Sequence, residues 1–278
     1  NGTIKIAASE IEGLKKGIVT YQPIGVIYGM QPWNFPAYQV LRYTIANLMA
    51  GNSILLKHAS NVTGSGLLIE QIFHESELPN DLFRTILIDH DQSEALISHD
   101  KVRGVTLTGS DGAGSIVGQQ AAKAIKKVVL ELGSNDAFIV LEDADLELAV
   151  ETCTQARLIN NGETCVAAKR FIVVDSLYDD FRERIVKKFA DAKFGDPMDD
   201  DSDLGPLARK DLQEKLHEQV EDSVAKGATI AVGGQLPEGK GSFYPATILE
   251  NVEKGQPAYD DELFGPVASL IRAKDQDD

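Results

Sequence analysis

Cysteine is scarce in this chain, which has 278 residues and only two cysteines, Cys153 and Cys165. Two cysteines cannot build a disulfide framework, and their spacing is not that of a metal-ligand pair, so we expect no metal site and a reducing, cytoplasmic compartment. Long apolar runs are also absent, because no segment approaches the roughly 18 apolar residues that a membrane-spanning helix needs. No signal peptide is visible at the start of the chain. These absences predict a soluble protein that does not enter a membrane.

Positive charge is the second shortage, since 27 Lys and Arg residues face 43 Asp and Glu residues, which gives a formal net charge of -16. Such an excess of negative charge disfavours binding to nucleic acid and to anionic membrane surfaces. The content of 43% hydrophobic and 25% charged residues is ordinary for a globular protein with a packed core. The length suits one large or two medium domains.

Short apolar runs alternate with helical patterns from Ile24 onward, first up to about residue 131 and then again in a second round. Alternating strands and helices are typical of an α/β fold with a parallel sheet covered on both faces. We place a boundary near Leu132, which divides the chain into residues 1–20, 21–131 and 132–278. The first of these segments reads as a hairpin without a core of its own. Because the chain stops directly after a predicted strand at residues 267–271, we expect the last segment to be incomplete.

Cys165 has the setting of a nucleophile. A helical pattern that starts at Leu146 runs into residues 160–162, Asn-Asn-Gly, which end it, and Cys165 follows in the turn. A thiol attacks a carbonyl when it is partly ionised and exposed, and the small residues 166–168 leave room for a substrate. The alternative is a buried structural thiol, which is common for a lone cysteine. We expect that role for Cys153, which lies on the apolar helix face.

Asn34 lies between two prolines in residues 32–36, Pro-Trp-Asn-Phe-Pro, which fix an extended turn before a helix. Its carboxamide is a neutral donor that can stabilise an oxyanion, as a tetrahedral adduct on a thiolate requires. The alternative is that Asn34 caps the helix that begins at Pro36 or Ala37.

A glycine-rich turn covers residues 109–114 and links an apolar strand to a helix. Free backbone N–H groups and the helix dipole at such a turn can receive a pyrophosphate. The turn differs from the G-x-G-x-x-G fingerprint, and many turns of this kind hold no ligand.

Glu131 interrupts an otherwise apolar strand end. A carboxylate in an apolar setting has a raised pKa and can serve as a general base near neutral pH. The alternative is a salt bridge to Lys126 or Lys127.

Glu262 and Phe264 belong to an acidic turn, residues 260–266, that ends in a Gly-Pro break. The alternative to a site here is a solvated loop with Phe264 anchored in the core.

In this order and wording, these stretches resemble the aldehyde dehydrogenase superfamily, and the likeness covers essentially the whole chain. The signatures are residues 32–36, Gly51 with Asn52, Leu56 with Lys57, residues 109–114, 131–133 and 162–165, and Glu262 with residues 264–266. The wording of residues 56–59, 140–145 and 168–171 looks most like that of bacterial succinate-semialdehyde dehydrogenases. Family members are longer at both ends, so the resemblance implies a fragment.

The resemblance implies an aldehyde dehydrogenase-like α/β fold. In it, residues 1–20 form a bridging hairpin, 21–131 a Rossmann-type NAD(P)-binding domain, and 132–278 a catalytic domain that is incomplete at its C-terminus. It implies NAD or NADP as cofactor, a small aldehyde such as succinate semialdehyde as substrate, and a homodimer or homotetramer for the full-length protein.

The resemblance also implies roles for individual residues. Cys165 attacks the aldehyde, Asn34 and the Cys165 N–H hold the oxyanion, and Glu131 activates water. The implied cofactor-binding residues are Trp33, Lys57, Ser60, Gly109, Ser110, Gly114, Leu132, Gly133, Glu262 and Phe264. Phe35 and Arg42 are implied for the substrate, with Arg42 clamping a distal carboxylate; the alternative for Arg42 is a surface arginine paired with an acid. Because Ser60 replaces a glutamate that is common in relatives, we expect NADP to be accepted.

Three residues depart from the family pattern. Ser134 replaces a glycine and would crowd a turn that needs a positive φ. Glu163 replaces a glutamine and puts a negative charge near the thiol, unless it points to solvent or pairs with a base such as Lys169. Tyr43 replaces a lysine, which puts a proton relay there in doubt.

The alternative functions are a catalytically incomplete nucleotide-binding fragment, hydrolysis through Cys165 and Glu131 without cofactor, and a dehydrogenase for another small aldehyde.

Overall fold

The computed structural model describes residues 4–6 and 17–278. The chain divides into two compact units, Asn1–Leu132 and Gly133–Asp278. Each unit is built on a five-stranded sheet with helices packed on it, so the predicted α/β fold class is confirmed. Within the described residues, no helix combines the length and the apolar character needed to cross a bilayer.

The first unit contains a parallel sheet with the strand order β5-β4-β3-β6-β7. Its strands are β3 (Val26–Gln31), β4 (Ser53–His58), β5 (Phe83–Thr85), β6 (Val102–Thr108) and β7 (Lys127–Glu131). Its helices are α1 (Tyr38–Met49), α2 (Thr63–Glu75), α3 (His90–Ser98) and α4 (Asp111–Lys123). Two short strands, β1 (Ile4–Ile6) and β2 (Gly17–Val19), form a separate antiparallel pair. The turn predicted between them lies outside the described residues.

The alternating residues of β3 explain why helices cover both faces of this sheet. Tyr28 belongs to a core cluster with Val117 of α4, whereas the neighbouring Ile27 belongs to a second cluster with Val40 of α1. Successive side chains of a strand point to opposite faces, so a continuously apolar strand needs cover on both sides.

The second unit contains a sheet with the order β10-β11-β12-β9-β8. Its strands are β8 (Ala137–Val140), β9 (Arg170–Val174), β10 (Thr229–Val232), β11 (Thr247–Glu250) and β12 (Val267–Ala273). Its helices are α5 (Leu146–Leu158), α6 (Asp175–Asp191), α7 (Lys210–Ala225) and the short α8 (Pro257–Asp260).

Strand β10 departs from the parallel arrangement that alternating strands and helices indicate, because it pairs antiparallel with β11. A parallel pair needs a crossover connection, usually a helix, whereas residues 233–246 return from β10 to β11 without one. The other pairings in this sheet are parallel.

One strand lies earlier in the chain than its apolar run indicates. The apolar run at residues 85–88 predicts a strand there, whereas the structure has β5 at Phe83–Thr85. Phe83 pairs with Ile54 of β4 and packs against Phe73 of α2, with a ring-centroid distance of 4.9 Å. Burial of this aromatic side chain places the strand, and Ile86 and Ile88 pack on the core beyond its end.

Candidate active site

The first unit has a topological switch point between β3 and β6. Helix α1 leads from β3 to β4 on one side of β3, whereas α3 leads to β6 on the other side. In an open parallel sheet, ligands bind outside the carboxyl ends of the strands at such a point. Residues 32–37 follow β3 there, and the glycine-rich turn follows β6.

Residues 32–37 hold Trp33, Asn34 and Phe35, which are all half-buried. The N-cap residue of α1 is Ala37, and no side chain caps this helix, so the alternative that Asn34 is the cap is wrong. The turn before α1 positions Asn34 instead.

His58 braces this turn from β4, a contact that the sequence did not indicate. Its ring is buried, with Nε2 3.0 Å from the Pro36 carbonyl oxygen and Nδ1 3.1 Å from that of Gln31. The Ala59 N–H also reaches Nδ1, at 3.1 Å. The ring therefore joins both ends of the turn.

The glycine-rich turn ends in the N-terminus of α4. Ser110 is the N-cap residue, and its Oγ accepts a hydrogen bond from the Ala113 N–H at 3.4 Å. A side chain at Gly112 would meet no atom within 4 Å, whereas a Cβ at Gly114 would lie 2.5 Å from the Leu132 side chain. The helix end is therefore open toward a ligand, and Gly114 lets Leu132 pack against the helix.

Lys57 lies near the carboxyl end of β4, and Ser60 follows this strand. Lys57 is half-buried, and this burial lowers the pKa of its ammonium group, although the charge of Asp89 opposes the shift. Ser60 is exposed and opens a 3-10 turn, Ser60–Val62.

Glu131 and Arg42 form an ion pair in the first unit, with Arg42 Nη2 2.6 Å from Glu131 Oε1. Both side chains are 45% exposed. The prediction that Glu131 lies in an apolar setting is wrong, because β7 is an edge strand whose residues Val128 to Leu130 are exposed. The carboxylate pairs with Arg42 and not with the two lysines considered as alternatives.

Tyr43 follows Arg42 and packs its hydroxyl end over Gly29. Burial raises the pKa of the Tyr43 phenol above its usual value, which keeps the group neutral. A proton relay at this position has no support.

In the second unit, α5 stops where the sequence indicates. It ends at Leu158, and Asn160, Asn161 and Gly162 have φ values of 53°, 56° and 71°. Asparagine and glycine tolerate this left-handed conformation better than other residues. A Cβ at Gly162 would lie 2.2 Å from the Gly265 carbonyl oxygen, so only glycine fits there.

Residues 162–168, which we call the cysteine loop, follow this stop. Cys165 is half-exposed, whereas Cys153 is buried in the core of the second unit. Burial raises the pKa of the Cys153 thiol to about 12, which leaves it protonated and unreactive. The predicted contrast in exposure between the two cysteines is confirmed.

Arg157 closes the cysteine loop from inside. Its guanidinium is fully buried and donates to the Gly162 carbonyl oxygen at one end of the loop and to that of Ala168, at 3.3 Å, near the other. Burial lowers the pKa of Arg157 to about 10, and the charge of Glu262 opposes this shift. The sequence offered no signal for this role beyond an arginine on an otherwise apolar helix.

The carbonyl oxygen of Cys165 receives two donors. Lys169 Nζ donates to it, and so does Ser134 Oγ at 2.7 Å. Lys169 Nζ also lies 3.3 Å from Ser134 Oγ and 3.0 Å from Glu262 Oε1. Ser134 has no positive φ, so the predicted crowding is wrong, and its hydroxyl instead supports the cysteine loop.

Glu163 is buried, and its carboxylate oxygens accept the Ala208 N–H at 3.1 and 3.2 Å. The prediction that Glu163 points to solvent is therefore wrong, and a base whose charge acts on it is Arg209, which the sequence did not single out. Burial raises the pKa of Glu163 to about 7, and the Ala208 N–H and the charge of Arg209 oppose this shift.

The acidic turn is anchored by Leu263, which is buried, whereas Phe264 is only half-buried. Leu263 is thus a buried anchor of this loop that the sequence did not single out. Glu262 is half-buried beside Lys169, so the second unit brings Cys165 and Glu262 to the same ammonium group. Gly133 begins this unit and is half-buried.

Known proteins are similar in sequence to this chain. A succinate semialdehyde dehydrogenase (NAD(P)+) from Escherichia coli strain K12 is 45% identical over 261 residues, which cover 94% of this chain and 56% of the relative. A succinate-semialdehyde dehydrogenase (NADP+) from Deinococcus radiodurans is 44% identical over 260 residues, 94% of this chain and 54% of the relative. The chain therefore spans about half the length of these curated relatives.

Solved structures share the fold. The crystal structure of succinic semialdehyde dehydrogenase from Streptococcus pyogenes in complex with NADP+ matches with a TM-score of 0.95 and 35% identity, covering 99% of this chain and 60% of that one. The structure of lactaldehyde dehydrogenase from Escherichia coli matches with a TM-score of 0.93 and 34% identity, covering 98% and 57%. The aldehyde dehydrogenase family model matches residues 4–278. By fold and by sequence, the chain belongs to the aldehyde dehydrogenase family.

Proposed function

We propose that the protein oxidises a short aldehyde with a distal carboxylate, such as succinate semialdehyde, to the acid with NAD(P)+. The observation that carries this proposal is the cysteine loop, in which buried Arg157 and Lys169 hold the backbone while Cys165 stays half-exposed. A rigid loop around a half-exposed thiol suits a nucleophile, because little ordering is left for the reaction step. The names of the curated relatives support the choice of substrate.

In the proposed reaction, the Cys165 thiolate attacks the aldehyde carbon and forms a thiohemiacetal. The Asn34 carboxamide and the Cys165 N–H donate to its oxyanion. When bound, the nicotinamide cofactor supplies the hydride acceptor, and loss of hydride converts the thiohemiacetal to a thioester.

Glu131 is proposed to take a proton from the water that hydrolyses the thioester. Its ion pair with Arg42 is half-exposed, and such pairs contribute only about 0–1 kcal/mol, so the carboxylate can leave Arg42 at little cost. We propose that the distal carboxylate of the substrate takes the place of Glu131 on Arg42, and that Phe35 contacts its carbon chain. The arginine then binds the substrate while the base becomes free.

The described residues fit a dinucleotide. The open N-terminus of α4 at Ser110 can receive the pyrophosphate. Glu262 Oε1 lies 3.0 Å from the Lys169 ammonium, and the Glu262 side chain remains 23% exposed, so its carboxylate can also accept a ribose hydroxyl. The residues proposed to hold the cofactor are Trp33, Lys57, Ser60, Gly109, Ser110, Gly114, Leu132, Gly133, Glu262 and Phe264.

These assignments divide the work between the units. We propose residues 21–131 as the cofactor domain, 132–278 as the catalytic domain and 1–20 as a bridging segment. For the full-length protein we propose a cytoplasmic homodimer or homotetramer, as the family resemblance implies.

Ser60 supports acceptance of NADP+. It is exposed beyond β4, and its neutral hydroxyl can hydrogen-bond a 2′-phosphate or a 2′-hydroxyl without repelling either. Kinetics with both cofactors should therefore show turnover with NADP+. A preference for NAD+ of about a hundredfold or more in kcat/KM, equivalent to about 2.7 kcal/mol, would contradict this assignment.

One assay tests the proposed function. The full-length protein is mixed with NADP+ or NAD+ and succinate semialdehyde, and absorbance of the reduced nicotinamide is followed. Production of reduced cofactor supports the proposal. Binding without reduction indicates a nucleotide-binding protein, and hydrolysis of an ester without cofactor indicates a hydrolase; either result without dehydrogenation overturns it.

A further inference from the structure

Lys169 is a buried cation that supports the cysteine loop but takes no part in the proposed bond-making and proton-transfer steps. Its side chain is only 1% exposed. Its ammonium donates to the Cys165 carbonyl oxygen and to Ser134 Oγ, and lies 3.0 Å from Glu262 Oε1. An ammonium has three N–H donors, and three acceptors surround this one.

The Lys169 ammonium depends on Glu262. Burial lowers the pKa of Lys169, and the carboxylate of Glu262 is the main group that opposes this shift. Removing one partner of a buried ion pair leaves an uncompensated charge, which is costly. The position and charge of Lys169 therefore follow the state of Glu262.

The Cys165 peptide depends in turn on Lys169. Its carbonyl oxygen takes the Lys169 ammonium and the Ser134 hydroxyl, but that hydroxyl has a single proton and also contacts Asp136 Oδ2 at 2.8 Å. Lys169 is thus the donor that holds the Cys165 carbonyl whichever way the Ser134 proton turns.

We propose that Lys169 is a positioning residue that couples Glu262 to the nucleophile. It holds the Cys165 backbone in the attacking conformation only while Glu262 holds the ammonium. A donor that binds Glu262, such as a ribose hydroxyl of the cofactor, then changes the position of the Cys165 backbone through Lys169. This coupling rests on the proposed function, since it takes Cys165 as the nucleophile and Glu262 as a cofactor ligand.

A double-mutant cycle on the cofactor-free full-length protein tests the coupling. The rate at which iodoacetamide alkylates Cys165 is followed by mass spectrometry of the peptide that contains it. Lys169→Met should lower this rate by about fivefold or more, and Glu262→Gln by about threefold or more, because each change releases the Cys165 carbonyl. In the Lys169→Met background, Glu262→Gln should change the rate by less than about 1.5-fold.

Lys187 and Asp191 provide the matched control. They form an ion pair at 2.5 Å on α6, with side chains 74% and 64% exposed. Lys187→Met and Asp191→Asn, singly and together, should leave the alkylation rate of Cys165 unchanged. A loss of rate in these variants would show a general effect of charge and overturn the proposed coupling.

Two other outcomes also overturn it. One is an equal effect of Glu262→Gln in both backgrounds, which would mean that Lys169 does not transmit it. The other is an unchanged rate in Glu262→Gln alone, a test that holds even where Lys169→Met does not fold. Neither outcome affects the dehydrogenase assay of the unsubstituted protein, so failure of the coupling is distinguishable from failure of the proposed function.

Discussion

The two units hold their candidate site residues in opposite ways. In the first unit, Glu131 pairs with Arg42, and both side chains are 45% exposed. In the second unit, Glu262 pairs with Lys169, whose side chain is 1% exposed. An exposed ion pair can exchange partners at a small cost in free energy. A buried ion pair fixes the positions of its two groups, because breaking it leaves an unpaired charge in the protein interior. Groups that must move for the proposed reaction lie in exposed pairs, and the group that must stay still rests on a buried one.

The largest expected effect concerns Cys165, whose backbone rests on the buried Lys169–Glu262 pair. Cys165→Ser in the full-length protein should lower kcat by roughly 10⁴-fold or more, because a hydroxyl is a far weaker nucleophile than a thiolate. Cofactor binding should persist, which a titration of NADP+ binding checks. Cys153→Ser is the matched control, and loss of turnover in it with activity kept in Cys165→Ser would reverse the assignment.

The next effect concerns Glu163, the buried carboxylate of the cysteine loop. Its pKa of about 7 in the fold lies above the ordinary value of 4.5, so the folded protein binds the extra proton between these pH values. Its contribution to stability is therefore present at low pH and is lost as pH rises toward about 7. The loss is about 3 kcal/mol at most, at about 1.4 kcal/mol per pKa unit.

Glu163→Gln removes this titration and keeps an acceptor for the Ala208 N–H. The free energy of unfolding of this variant, relative to that of the unsubstituted protein, should increase as pH rises from 5 to 8. Urea unfolding at several pH values measures the difference, with Glu147→Gln at an exposed position as control. A difference that stays constant with pH would exclude Glu163 as the titrating group.

Arg42→Leu removes one partner of the half-exposed Arg42–Glu131 ion pair and tests substrate recognition. A charged hydrogen bond contributes about 1.5–3 kcal/mol, so kcat/KM for succinate semialdehyde should fall roughly 10- to 150-fold. Activity on butanal, which has the same chain length but no carboxylate, should not fall, since the variant leaves Glu131 free. Equal losses on both substrates would make Arg42 structural and remove the support for a carboxylate substrate.

The smallest expected effect is the stability of the same variant. Removing a half-exposed ion pair should change the free energy of unfolding by no more than about 1 kcal/mol. Denaturant titration of Arg42→Leu and Glu131→Gln measures this. A much larger loss in either variant would mean that this pair is structural, and the contrast between the two units would disappear.

Local signals predicted much of this structure. Asn160, Asn161 and Gly162 end α5 because their own backbone preferences favour positive φ, and Cys153 is buried because it lies on the apolar face of the same helix. Such features depend on residues a few positions apart. The alternation of strands and helices predicted the fold class for the same reason.

Contacts between residues far apart in the chain could not be predicted from the sequence alone. Ser134 and Cys165 are 31 positions apart, and His58 and Pro36 are 22 apart, so nothing local announces either contact. The misjudged setting of Glu131 has a related cause. Residues 128–130 are apolar, as in a buried strand, but β7 is the last strand of its sheet, and only the strand order shows this.

The position of β12 affects how the protein is made. Among the strands of the second unit, β12 comes last along the chain, yet it lies in the middle of the sheet between β11 and β9. Strand β9 (Arg170–Val174) leaves the ribosome about a hundred residues before β12, so during synthesis it has β8 as a neighbour but not yet β12. Domains generally fold as units in order of synthesis, and sheets with distant partners form slowly. The first unit can therefore fold on the ribosome while the sheet that follows the Cys165 loop is still incomplete.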